Sequence, residues 1–113
     1  MANNEIWHSV LRSAGDIAGV FEFNGETGYF YLYRESAPPN HKVVSAIHIL
    51  SGAPDFEQKD VSIRWTDGEN IVGLFIRSVL WAAFDPANGT KYGGNYQKQG
   101  QPEIPMEVES RFR

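Results

Sequence analysis

His8, His41 and His48 are the only imidazoles in the chain, and they bound the acid–base and metal chemistry open to it. None stands in an H-x-H or H-E-x-x-H spacing, so no local pair presents two ring nitrogens to one ion. His41 follows Pro38-Pro39-Asn40 and reads as a solvated loop residue. His48 sits between Ile47 and Ile49 and reads as a hydrogen-bonded histidine on a sheet face. There is no cysteine, which removes disulfides, thiolate nucleophiles, iron–sulfur clusters and cysteine zinc sites. No G-x-S-x-G elbow occurs. Asp55, Glu57 and Asp60 gather carboxylates but lack the D-x-D-x-D-G order and distal glutamate of a calcium loop, and read as a solvated loop. Gly25-Glu26-Thr27-Gly28 has the glycines of a phosphate cradle, but a P-loop ends in Lys and Ser or Thr and opens a helix, whereas here a strand pattern follows. No catalytic residue, metal ligand or cofactor is therefore assigned, and a non-enzyme is expected.

The most informative constellation is Tyr29, Tyr31 and Tyr33, at i, i+2 and i+4. On a strand these three share one face, with Phe30 and Leu32 on the other. Tyrosine offers a large apolar ring with a polar tip, the combination in which interfaces are enriched. Two readings stand: a second packed layer with cross-strand aromatic pairing, or a flat binding surface for a protein, peptide or sugar. Tyr29, Tyr31, Tyr33 and the nearby His48 are the candidate binding residues. Trp7, Trp65 and Trp81 read as core.

The elements that would position these residues are strands. Residues 17–24 place Ile17, Gly19, Phe21 and Phe23 on one face and Ala18, Val20, Glu22 and Asn24 on the other. After the turn at residues 24–28 the alternation resumes, which predicts a hairpin. Residues 42–51 are apolar on both faces, with Val43, Val44, Ile47, Ile49 and Leu50, and read as a strand buried on both sides. Val61, Ile63 and Trp65 alternate with Ser62, Arg64 and Thr66; Asp67-Gly68 is a hairpin signal within a loop reaching Asn70. Residues 71–76 and 79–84 are apolar strands with a break at Arg77-Ser78, and Asn88-Gly89 turns the second of these onto residues 90–92. Residues 106–112 read as a last edge strand or a frayed tail. At residues 5–12, strand and helix spacing compete, with a strand or irregular segment slightly favoured. The expectation is an all-β fold, an antiparallel sandwich or barrel of about seven strands, with room for one short helix at the N-terminus.

Bulk composition agrees. A length of 113 residues predicts one domain, 1–113, and 42% hydrophobic with 21% charged residues fits a soluble globular chain. The net charge of −4 argues against a nucleic-acid partner, which would call for Lys and Arg to neutralise phosphates. The longest stretch without Asp, Glu, Lys or Arg is residues 43–54, well short of the ~20 apolar residues of a spanning helix, so no membrane association is expected. Met1-Ala2-Asn3-Asn4-Glu5 lacks the basic start and apolar stretch of a signal peptide. Together with the absence of cysteine this points to the cytoplasm.

Phe21-Glu22-Phe23-Asn24-Gly25-Glu26-Thr27-Gly28-Tyr29-Phe30-Tyr31 resembles the signature of an uncharacterised bacterial family, domain of unknown function 2251. Ala46-Ile47-His48-Ile49, Val61-Ser62-Ile63-Arg64-Trp65-Thr66-Asp67-Gly68 and Ala82-Ala83-Phe84-Asp85 are similar to its later blocks, in the same order. The family pattern carries acidic residues where this chain has Phe23 and Asn24. The resemblance implies a bacterial, cytoplasmic protein and supplies no catalytic residues. The functional expectation is a non-catalytic binding or interaction domain with a protein partner. An immunity protein masking a toxin's active site is one concrete form, and a homodimer is one of the assemblies allowed. The alternative is a small-molecule or carbohydrate-binding β-domain.

Overall fold

A computed structural model describes residues 5–113. Residues 1–4, on which most of the leader reading rested, lie outside the described residues. Eight strands form two four-stranded antiparallel sheets. The first holds β1 (Ile6–Leu11), β2 (Ile17–Phe23), β3 (Thr27–Arg34) and β4 (Val43–Ser51), each beside its predecessor in sequence. The second repeats that plan with β5 (Val61–Trp65), β6 (Val72–Ile76), β7 (Val79–Asp85) and β8 (Thr90–Gly93). The sheets stack as a sandwich rather than closing into a barrel.

Alternation builds the core. Ile6 of β1, Phe21 and Phe23 of β2, Phe30 and Leu32 of β3 and Ile47 of β4 are buried against Ile63, Val72, Leu74 and Phe84 of the second sheet. The Phe30 and Phe84 rings meet across the interface at 5.1 Å. A Cβ at Gly19 would stand 2.7 Å from Val72 Cγ2 and 3.2 Å from Ile63 Cγ2, so side chains of the facing sheet fill the space a β-carbon would need.

The β2–β3 hairpin turns as predicted. Asn24 Oδ1 accepts from the backbone N–H groups of Glu26 and Thr27, both at 2.9 Å, and Gly25 takes φ 99°. The β7–β8 pairing is also as read, with Phe84 opposite Lys91 and Asp85 opposite Thr90. Arg77-Ser78 is a full two-residue hairpin turn: Ile76 pairs with Val79, and both turn residues lie at positive φ, 51° and 68°. That geometry ordinarily selects Asn-Gly. Here the Arg77 side chain is anchored on the Asp55 carbonyl and lies 3.4 Å from Asp55 Oδ2 and 3.9 Å from Asp60 Oδ2.

Four expectations need correction. Residues 5–12 hold strand β1 and no helix; the short helix is C-terminal, α1 (Met106–Glu109), followed by a 3-10 turn over Ser110–Phe112. The edge strand or frayed tail expected at residues 106–112 is thus absent. Val108 and Phe112 stand four apart, one helical turn, and both bury against Ile71, Phe75, Leu80 and Ala83 on the outer face of the second sheet. Val43 and Val44 are half exposed, because the register skips Val44 beside Tyr33 and the strand begins as a free edge. Trp7 is 55% exposed, while Trp81 is buried and Trp65 partly so, donating Nε1–H to the Val10 carbonyl at 3.0 Å.

Candidate functional site

The outer face of the first sheet is laid out by register. One row across β1 to β4 reads Trp7, Glu22, Tyr29, His48; the next reads Ser9, Val20, Tyr31, Ala46; the third reads Leu11, Ala18, Tyr33, Val43. Tyr29, Tyr31 and Tyr33 alternate with the buried Phe30 and Leu32, so all three point outward as expected, each half-buried. Tyr29 and Tyr31 lie nearly parallel, centroids 5.8 Å apart and planes 21° from one another. His48 meets Tyr29 edge-on at 5.4 Å. Its Nδ1 lies 3.1 Å from Asn95 Oδ1 and its Nε2 3.0 Å from Ser51 Oγ, so both ring nitrogens are occupied and its orientation is set. The structure thus brings Tyr29, Tyr31 and His48 into contact, with Tyr33 continuing the stripe.

The face is not flat. Ala18 and Val20 are buried to within 4% of full coverage although they point outward. Their cross-strand neighbours, Tyr31 beside Val20 and Leu11 and Tyr33 on either side of Ala18, are large, and Glu22 continues the same outward row of β2. Burial, then the neighbouring Glu22 carboxylate and Tyr29, raise the Tyr31 phenol above its ordinary pKa. Trp7 belongs to this site, as a wall opposite the tyrosines, and sequence reasoning sent it to the core. The signal that finds it is its period-two partnership with Leu11, once residues 6–11 are taken as a strand whose other face is Ile6, His8 and Val10.

The second sheet treats its outer face differently. Phe112 packs edge-on to Phe75 at 5.3 Å, Arg64 lies over the Phe75 ring at 5.1 Å, and the Arg64 Nη2 donates to the Phe112 carbonyl at 2.8 Å. The C-terminal segment roofs that sheet, whereas Trp7, Leu11, Val43 and Val44 on the first sheet each keep about half their surface exposed.

A second polar cluster lies at residues 55–60. The Tyr96 hydroxyl donates to Asp55 Oδ1 at 2.6 Å, and its ring packs edge-on against Trp81 and Phe56 at 4.8 and 5.1 Å. Burial and this hydrogen bond push the Tyr96 pKa up to about 12, while Tyr96 and then Arg77 hold Asp55 below the carboxylate range. A cleft of about 550 Å³ beside it is lined by Ile6, Pro54, Asp55, Phe56, Glu57 and Gln58. No nucleophile–base pair occurs in that cluster; its bonds clasp the inter-sheet loop to the β6–β7 turn and to residue 96. Among the described residues, no group of three His, Asp or Glu side chains is placed to hold a metal ion, and no helix is long and apolar enough to cross a membrane.

Comparison with known proteins adds identity without chemistry. An uncharacterized protein of Haemophilus influenzae is 32% identical over 89 residues, covering 77% of this chain and 54% of the relative. The chain thus spans about half the length of the curated relative it matches. No solved structure matches it. The signature blocks at residues 21–31, 46–49, 61–68 and 82–85 fall on β2–β3, β4, β5 with its following turn, and β7. With the family model matching residues 2–109, the chain belongs to the family described as an uncharacterized protein conserved in bacteria (DUF2251).

Proposed function

We propose that this chain is a non-catalytic interaction domain of the bacterial cytoplasm whose ligand is a protein, seated on the outer face of the first sheet. The observation that carries the reading is the asymmetry of the sandwich: one outer face is roofed by the chain's own C-terminus, and the other leaves Trp7 55% exposed beside three half-buried tyrosines. Contiguous aromatic surface of this kind, with a polar tip on each ring, marks docking faces more often than ordinary surface. The absence of cysteine supports the cytoplasm, and an immunity protein masking a toxin fits this anatomy as one form. A sugar or small-molecule ligand is the competing class.

The test is affinity purification of the tagged chain from its native bacterium, with Trp7→Ala and Tyr29→Ala in parallel. Trp7 stands largely in solvent, so its removal costs little stability. One co-purifying protein whose recovery falls about tenfold in both variants, at unchanged melting temperature, supports the reading; loss of an anchor worth ~1.4 kcal/mol gives that factor. Recovery unaffected by either variant overturns it. So does a thermal shift with oligosaccharides that both variants abolish.

A further inference from the structure

Resting on that docking face, the chemistry of its occupant can be narrowed. In the three rows of register Glu22 is the only acid, and no lysine or arginine occurs. Glu22 lies directly between Trp7 and Tyr29, on strands about 4.8 Å apart. Among the described residues its carboxylate has no cationic partner: the ion pairs join Asp16, Glu35, Asp55, Asp60 and Glu109 to other side chains. A part-buried glutamate whose cross-strand neighbours are two aromatic residues is thus left without a counter-charge.

The same molecule contains that constellation filled. Arg12 lies 5.5 Å over the Trp65 ring and donates Nε–H and Nη2–H to the Asp16 carboxylate at 2.7 and 2.8 Å. On the second sheet, Arg64 covers the outward Phe75 in the same manner. Ring, carboxylate and guanidinium form a unit because the guanidinium plane stacks on the ring while its edge donates to the oxygens. At Trp7, Glu22 and Tyr29 the ring and the carboxylate are present and the guanidinium is missing.

We infer that this face recognises an arginine side chain of the partner protein, its guanidinium held over Trp7 and Tyr29 with Glu22 as counter-charge. The chain's net charge of −4 favours approach by a basic surface. A second copy of this chain would bring another uncompensated Glu22 to the interface, which argues against self-association here.

The experiment is a chemical-shift titration of the isotope-labelled chain with a triarginine peptide and its tricitrulline isostere, which keeps the shape and removes the charge. Triarginine should move the Trp7 indole N–H and the amides of Glu22 and Tyr29, weaken with added salt, and bind about five- to tenfold more tightly than tricitrulline. Glu22→Gln should cancel that preference while the spectrum stays folded. Equal binding of the two peptides, shifts centred elsewhere, no binding, or a Glu22→Gln variant that keeps the preference each overturns the inference. So does a dimer in sedimentation that Trp7→Ala splits. These failures are separable from failure of the docking face: a cellular partner lost with Trp7→Ala but retained in full with Glu22→Gln leaves the face standing and removes the arginine.

Discussion

A single hydroxyl shows how the polar clasp around Asp55 should respond to pH. Tyr96 has a folded pKa of about 12 against an ordinary 10, so its contribution is fully present below pH 10 and is lost as pH rises from 10 to 12. Asp55 is shifted the opposite way, so its contribution is present above the ordinary carboxylate pKa and lost as pH falls below about 4. Tyr96→Phe removes the hydrogen bond and should cost about 1 kcal/mol between pH 5 and 9 in urea unfolding. The gap between wild type and variant should narrow at both extremes; a gap constant from pH 3 to 12 would contradict the assignment. At this scale the tyrosine stripe was legible, because Phe30 and Leu32 alternate with it in a hairpin whose turn residues are unambiguous. Trp7 was missed because the strand spacing of residues 6–11 competed with a helical one, and tryptophan is usually placed in the core by its size. Glu22 was assigned to the outward face of β2, yet only the register reveals that it falls between two aromatic rings.

Among the elements, those with orthodox turn chemistry were read correctly and those held by distant partners were not. Asn24-Gly25 and Asn88-Gly89 carry their own instructions. Arg77-Ser78 does not: its positive φ values are sustained by Asp55 and Asp60, some twenty residues away in sequence, so the chain showed a break and not a turn type. Within the β5–β6 connection, Asp67-Gly68 marked the right place for a different reason. The residue at positive φ is Glu69, and the buried Thr66 hydroxyl accepts from the N–H groups of Asn70 and Ile71 at 3.3 Å. The C-terminal segment deceived because Met106, Val108 and Phe112 satisfy period two, while the pair that buries, Val108 and Phe112, satisfies the helical period equally well. Its role is a roof, and Phe112→Ala should remove about 3 kcal/mol of stability and expose Phe75 and Leu80 to a hydrophobic dye. Loss under 1 kcal/mol with no dye binding would mean that the segment is not seated on the second sheet.

For the molecule as a whole, the all-β class follows from alternation in β2, β3 and β5 and from short apolar runs between turn residues elsewhere; β1 is the strand whose spacing was ambiguous, and the choice between sandwich and barrel was left open. What alternation could not supply is the separation of the two sheets. Gly19 falls on the inward face with Ile17, Phe21 and Phe23, and its bare Cα lets Val72, Ile63 and Phe30 close over it. Gly19→Ala should therefore cost about 1–3 kcal/mol in thermal or urea unfolding, with m unchanged, although alanine ordinarily favours a strand over glycine. A neutral or stabilising result would place the sheets further apart. The order of strands has a separate consequence. Each sheet is an unbroken run of the chain, and residues 52–60 are the one covalent link between them. The halves are also held by hydrogen bonds that a cut at its start would leave in place: Asn95 and Tyr96 on the β4 edge, Gln58 on Trp7, and Ser13 on Glu69. A protease cut at the exposed Gly52-Ala53 bond would thus yield two fragments, each with a whole sheet, that elute together from a sizing column. Expressed from separate reading frames, the same halves would find one another, which makes the domain a natural candidate for a split reporter.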